Sequence, residues 1–205
     1  MSLRLFDTVP DFTQDSTIGS LSLYDWAGDS WVVLFSHPHD APPVCAAELD
    51  AVAKLLPEFE RRGVKAVGLS LDPVDRHGAW REGTASNFPL IADHDRRVAE
   101  LLGLIHPGAS DTVMARSVLV IDPARRVRLT LTYPAATGRN FAGILRVIDS
   151  LQLADSHKVA TRADWHQGED ILPSLTAVAA KELFPNGWTT RAGHPRTVAQ
   201  HGGIA

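Results

Sequence analysis

Cys45 is the only cysteine in the 205-residue chain, and it stands inside Phe35-Ser36-His37-Pro38-His39-Asp40-Ala41-Pro42-Pro43-Val44-Cys45-Ala46-Ala47-Glu48. Two imidazoles and two carboxylates lie close to it in sequence. A lone cysteine closes no disulfide within its own chain, which excludes a stapled scaffold and any intramolecular dithiol mechanism. If Cys45 does redox chemistry, the second thiol comes from another molecule. Two readings are open at this point. Thiolate is the reactive form of cysteine, and a helix start stabilises it through unpaired N–H groups and the helix dipole. Free cysteines are also commonly small, inert core residues.

The flanking elements decide where Cys45 sits. Ser30–His37 is a continuous apolar run rich in β-branched residues and reads as a buried strand. Pro38 ends it, and the His-Pro-His-Asp-Ala-Pro-Pro stretch cannot form regular structure. Proline is well placed in a first helical turn, so a helix begins near Pro43. Cys45, Leu49, Val52, Leu56 and Phe59 recur at spacings of three and four and form one apolar stripe. Pro57 is expected to kink this helix, and Arg61-Arg62-Gly63 to end it. Cys45 therefore falls at a helix start directly after a buried strand.

Downstream, Val64–Asp72 reads as a second buried strand and residues 74–82 as helical. Phe88–Asp93 is a short strand and Arg96–Leu104 a helix. Ala115–Asp122 and Arg126–Tyr133 form two strands joined at Pro123-Ala124-Arg125-Arg126 as a hairpin. Gly138–Ala154 is an amphipathic helix with Phe141, Ile144, Leu145, Ile148 and Leu151 on one face. Alternating strands and helices, then a hairpin and a helix, indicate an α/β domain with a mixed sheet over residues 1–155. Residues 156–205 break into short pieces punctuated by proline and glycine. They are expected to drape over the main domain or a second subunit.

With 44% hydrophobic and 21% charged residues, the chain has the composition of an ordinary globular protein. A net charge of −4 without a long basic run gives no footing for nucleic acid or an anionic membrane. No apolar run reaches membrane-spanning length, and Met1–Phe12 lacks a signal-peptide core, so a cytoplasmic location is expected.

The stretch Phe35–Glu48 resembles the active-site loop of the peroxiredoxins, in particular their one-cysteine, Prx6-like group within the AhpC/TSA family. Phe35-Ser36-His37-Pro38 matches the end of that family's strand, and Asp40, Pro43, Val44, Cys45 and Glu48 match the loop and helix. Thr132–Phe141 matches a second signature, and Met114–Val118 fits the strand that bears the family's arginine. Ala163–Leu175 and Lys181–Trp188 resemble the subgroup's C-terminal extension. The resemblance implies a thioredoxin-like fold, a mixed central sheet flanked by helices, with a small irregular extension. It also implies a thiol peroxidase that needs no cofactor or metal. Cys45 is then the peroxidatic residue, attacking the O–O bond and becoming a sulfenic acid. Arg116 holds the thiolate and a peroxide oxygen, Glu48 orients that arginine, and Pro38 shields the sulfur. His37 lies near the thiol and Arg139 beside the site. Pro42, Pro43 and Val44 line the substrate pocket. The implied partners are a peroxide and an external reductant, either a small thiol or a thioredoxin- or glutaredoxin-type protein. The implied assembly is a homodimer or a higher ring.

The chain departs from the family pattern at Pro42, where a threonine hydroxyl is usual. Proline offers no hydroxyl, and loss of one preorganised donor typically lowers a rate by about 10²–10³. Turnover slower than in the family is therefore expected, with a redox-sensing or scaffold role as the alternative. Ala46 and Ala47 replace Thr-Thr, and Ala41 replaces an aromatic. A lipase-like Gly28-Asp29-Ser30-Trp31-Val32 stretch lacks its last glycine. Tyr24 and Ala124 stand where its histidine and aspartate would fall, so esterase chemistry is not expected. His37-x-His39 and Asp93-His94-Asp95 are each short of a full metal-ligand set, and the second reads as a polar turn before a helix.

Overall fold

Val32–His37 are all buried, which fits an apolar run whose two faces are both covered. The computed structural model describes residues 3–39, 43–77, 88–105, 114–134 and 136–173. The chain divides into two compact units, Met1–Phe141 and Ala142–Ala205.

The first unit carries strands β1 (Thr13–Ser16), β2 (Gly19–Ser22), β3 (Trp31–His37), β4 (Val64–Ser70), β5 (Leu90–Ala92), β6 (Arg116–Ile121) and β7 (Val127–Tyr133). Its helices are α1 (Leu23–Ala27), α2 (Pro43–Arg61) and α3 (Arg97–Leu101). The seven strands form one sheet in the order β2-β1-β5-β4-β3-β6-β7. β3 runs parallel to β4 and antiparallel to β6, so the sheet is mixed. The central position of β3 places the loop after His37, and hence Cys45, at the middle of one sheet edge.

Alternation along β3 sends Val32 and Leu34 to one face. There they join Val67, Leu69, Leu119 and Ile121, with Ala27 from α1 and Val98, Ala99 and Leu102 from the α3 region. Phe35 faces the other way and meets Phe141 edge-on at 5.4 Å between centroids. On β4, a Cβ added to Gly68 would lie 2.5 Å from Leu90 Cδ2, so the sheet there closes only around a glycine. α2 packs on β4 through the expected stripe, with Cys45, Leu49, Val52 and Phe59 buried. The helix continues through Pro57 to Arg61 and ends at Gly63, whose φ of 64° is left-handed.

The expected hairpin is present. Asp122 accepts the Arg126 N–H through Oδ1 and the Arg128 guanidinium through Oδ2, which fixes the turn. The short polar strands β1 and β2 and helix α1 were not foreseen from the sequence. β1 alternates between exposed and buried, but its buried residues are Gln14 and Ser16, so no apolar alternation marks it. The helix expected over residues 74–82 is present over 74–77, and its remainder lies outside the described residues.

Helix α4 (Phe141–His157) begins at the end of the first unit and starts three residues later than the sequence implied. In the second unit, β8 (Val159–Ala160) and β9 (Leu172–Pro173) pair antiparallel. Val159, Trp165 and Ile171 are buried together against Leu153, and the Trp165 indole donates to the Glu169 carbonyl at 3.1 Å. The segment expected only to drape over a neighbour thus holds a small core of its own around a single tryptophan. Lys181–Trp188 lie outside the described residues. Among the described residues, no helix is long and apolar enough to cross a membrane.

Candidate active site

Cys45 is the third residue of α2 and is only 1% exposed. Arg116, the first residue of β6, reaches it from the adjacent part of the sheet edge. One guanidinium nitrogen, Nη1, donates to Cys45 Sγ at 3.2 Å. The other, Nη2, forms an ion pair with Glu48 Oε2. Cys45 and Glu48 lie three residues apart, so one helical turn presents sulfur and carboxylate to the same arginine. The guanidinium plane is pinned by that carboxylate and aimed at the sulfur.

Glu48 is held from its other side by Arg139. The Arg139 backbone N–H donates to Oε1 at 2.6 Å, Nε donates to both oxygens, and Nη2 donates to Oε2 at 2.6 Å. Arg139 Nη1 donates to the carbonyls of Ser36 and Ser117, at 2.7 and 2.9 Å. The guanidinium also lies 5.5 Å from the ring centroids of both Phe35 and Phe141. A single buried arginine therefore ties α2, β3, β6 and the segment before α4 to one carboxylate.

Electrostatics divide the site. Burial raises the Glu48 carboxyl, but hydrogen bonds from Arg139 and Arg116 more than offset it, and its pKa lies below the ordinary value. Burial also pushes the Cys45 thiol up. The Arg116 charge, the Arg116 hydrogen bond and the backbone N–H of His39 pull it down, while the Glu48 charge pushes it up again. The net direction is upward, against what a helix start alone implies. The reason is that Cys45 is enclosed, and desolvation outweighs the favourable donors. Two guanidinium groups face one carboxylate here, so a thiolate is the second negative charge that balances the cluster.

The structure thus brings together Cys45, Arg116, Glu48 and Arg139. His37 is buried as the last residue of β3, stacked at 6.3 Å on Phe35. Pro38 follows it, half-buried, and its carbonyl accepts the Leu71 N–H at 3.3 Å. In the first turn of α2, Pro43 is exposed and Val44 half-buried. Ala46 is half-buried and Ala47 exposed, so the loss of threonine at 47 changes the surface more than the site. Pro42, Ala41 and Asp40 lie outside the described residues. Asp93 accepts the Val98 and Ala99 N–H groups at 2.9 and 2.7 Å, the helix-capping turn expected of that stretch. Tyr24 gives its hydroxyl to the Val9 carbonyl.

Two contributors were missed in the sequence. Ser36 Oγ donates to the Ala115 carbonyl at 2.6 Å and accepts the Ser117 N–H at 3.0 Å, which bracket Arg116. Ser117 Oγ in turn pairs with Thr132 Oγ1 at 3.2 Å. The available signal was a serine inside an apolar strand, since a buried hydroxyl needs a partner. The second is His39, whose Nδ1 lies 2.9 Å from Asp72 Oδ1. Nothing in the spacing of those two residues announces the pair.

Similarity to known proteins agrees with this geometry. The model of the AhpC/TSA family matches residues 6–130. A 1-Cys peroxiredoxin of Dictyostelium discoideum is 47% identical over 97% of this chain and 86% of its own length. Peroxiredoxin-6 of Rattus norvegicus is 46% identical over 92% of each chain. Among solved structures, a yeast mitochondrial 1-Cys peroxiredoxin aligns with a TM-score of 0.88 at 40% identity, covering 97% of this chain and all of the other. A peroxiredoxin 6 of Arenicola marina aligns at 0.87 and 42%, covering 98% of this chain and all of that one. The mixed seven-stranded sheet flanked by helices is the thioredoxin-like arrangement of these proteins. The match over residues 6–130, and relatives at 40–47% identity over nearly the whole chain, place it in the AhpC/TSA family, among the one-cysteine peroxiredoxins.

Proposed function

We propose that the protein is a one-cysteine thiol peroxidase that reduces hydrogen peroxide or an organic hydroperoxide. The observation that carries this reading is the Arg116 hydrogen bond to Cys45 Sγ, with Glu48 holding the arginine from behind. The thiolate attacks one peroxide oxygen, the S–O bond forms as the O–O bond breaks, and the alcohol or water leaves with a proton. Negative charge grows on the leaving oxygen, and a guanidinium stabilises it without losing its own charge. The product is a Cys45 sulfenic acid. An external thiol then attacks the sulfenic sulfur. The yeast relative is described as resolved through glutathione and thioredoxin systems, and we assign the same two reductant classes here. A cytoplasmic homodimer or higher ring, with residues 156–205 contacting a partner subunit, completes the proposal.

The test follows Cys45 by mass spectrometry after a pulse of hydrogen peroxide. Oxidation to sulfenic and then sulfinic acid, far faster than for a simple alkyl thiol, is expected. Oxidation at the alkyl-thiol rate would sink the peroxidase reading and leave a sensor or scaffold. Because Pro42 replaces a hydroxyl donor, Pro42→Thr should raise the oxidation rate, by about 10²–10³ if one preorganised donor is fully restored.

A further inference from the structure

His39 is exposed next to the buried Cys45, and its side chain has no part in the peroxide chemistry described so far. It follows the last strand residue by two positions, and its backbone N–H is directed at the Cys45 sulfur. Its side chain is 53% exposed, whereas the carboxylate it meets, Asp72, is 5% exposed. Asp72 is itself fixed, since its backbone N–H donates to Ser70 Oγ at 2.9 Å at the end of β4. The Arg76 guanidinium lies 3.9 Å from the same carboxylate oxygen. The imidazole is thus an exposed ring with one nitrogen anchored to a buried acid, and the anchor lies two residues beyond the end of β4, the strand next to β3.

That anchoring has a chemical consequence. With Nδ1 facing a carboxylate, the ring carries its proton on Nδ1, and Nε2 is the nitrogen left to accept one. The thiolate, not the thiol, attacks a sulfenic sulfur. A small alkyl thiol arriving from solvent is largely protonated at neutral pH. Some group at the entrance must take its proton, and the hydroxide displaced from sulfur must receive one.

We propose that His39, held by Asp72, is the general base of the resolving step. It removes the proton of the incoming thiol as the new S–S bond forms to Cys45. It returns that proton to the hydroxyl that leaves the sulfenic sulfur as water. The sum is sulfenic acid plus thiol giving mixed disulfide plus water, with sulfenic sulfur reduced and the thiol sulfur oxidised. A second molecule of thiol then releases Cys45 by disulfide exchange. This inference rests on the peroxidase reading, because it needs a Cys45 sulfenic acid.

The experiment uses His39→Gln in the full-length protein, since glutamine still bonds to Asp72 but takes up no proton. Cys45 is converted to the sulfenic acid with one equivalent of peroxide, verified by mass. Its reduction is then timed with two thiols at neutral pH. One is 2-mercaptoethanol, mostly protonated; the other is 2-nitro-5-thiobenzoate, already ionised. His39→Gln should slow the first reaction by about 10²-fold, the low end for general acid–base catalysis. It should leave the second within about twofold, and added imidazole should recover part of the loss. Equal slowing of both thiols would mean that His39 only shapes the entrance, and no slowing of either would remove it from the step. Both outcomes overturn the inference and leave the peroxidase reading standing. Absence of any sulfenic acid in the wild-type protein would overturn both.

Discussion

Two carboxylates of the first unit are buried almost equally, Glu48 at 5% exposure and Asp93 at 0%, yet their pKa values shift in opposite directions. Burial raises both. Glu48 is met by two guanidinium groups, which more than cancel that effect, and its pKa falls below 4.5. Asp93 is met by two backbone N–H groups and has Asp95 as a neighbour, and its pKa rises to about 6. Amide dipoles satisfy a carboxylate's lone pairs, but they bring no net charge. The difference separates two kinds of buried acid. One belongs to a charge cluster completed by a reactive thiolate. The other terminates a short helix, and burial there leaves it close to neutral at mildly acidic pH.

The most severe way to break this contrast is Glu48→Gln. It removes the one negative charge that both arginines share and leaves two cations buried at the sulfur. Breaking a buried pair by removing one partner costs about 3–5 kcal/mol, so a drop of that size is expected in urea unfolding. The chemistry should split in a way that stability alone would not. Glu48 raises the Cys45 pKa, so its removal should lower it, seen in the pH dependence of alkylation. The oxidation rate by peroxide should nevertheless fall, because Arg116 loses the carboxylate that aims it. An oxidation rate that rose with the thiolate population would show that Arg116 needs no such guide.

A gentler change keeps the charge and removes the fork. Arg139→Lys retains one positive charge near Glu48. A lysine ammonium cannot reproduce the paired donors to the carboxylate together with those to the Ser36 and Ser117 carbonyls. A loss of about 2 kcal/mol is expected, on the scale of hydrogen bonds to charged groups. Equal stability of variant and wild type would show that charge alone matters at this position.

How much of this was open to the reader of the sequence depends on the kind of signal. β3 and α2 were legible because their apolar residues recur with strand and helix periods, and the position of Cys45 followed from them. Arg116, Glu48 and Arg139 are 68 and 91 residues apart from each other's partners along the chain in no pattern that periodicity reads; only family resemblance picked them out, and the structure adds the hydrogen bonds. Ser36 and Asp72 escaped notice because their roles arise from pairings across strands, of Ser36 with β6 and of His39 with the end of β4. β1 and β2 escaped because short polar strands carry little apolar alternation. The upward shift of Cys45 was missed for a third reason. A helix start is a local feature, whereas the enclosure of its third residue is a property of the whole fold.

The smallest effect tests the other half of the contrast, and its sign is fixed by the two shifts. The Asp93 pKa is about 6 in the folded chain against an ordinary 3.8. Between those values the folded state binds a proton that the unfolded state does not. Its contribution to stability therefore grows as pH falls through about 6 and fades as pH rises above it. Glu48 behaves in the opposite sense: its stabilisation is present above 4.5 and is lost only as pH falls through its depressed folded value. Between pH 7 and pH 5, Asp93 should thus act without interference from Glu48, adding about 1 kcal/mol of stability on acidification. Asp93→Asn cannot titrate, so that increment should remain, as a rise toward pH 5, when the variant's unfolding free energy is subtracted from the wild type's at each pH. Subtraction cancels the contributions of all other titrating groups that the substitution leaves alone. A difference curve flat from pH 7 to pH 5 would show that the Val98 and Ala99 N–H groups hold Asp93 ionised after all, and that amide dipoles can do for a buried carboxylate what two arginines do for Glu48.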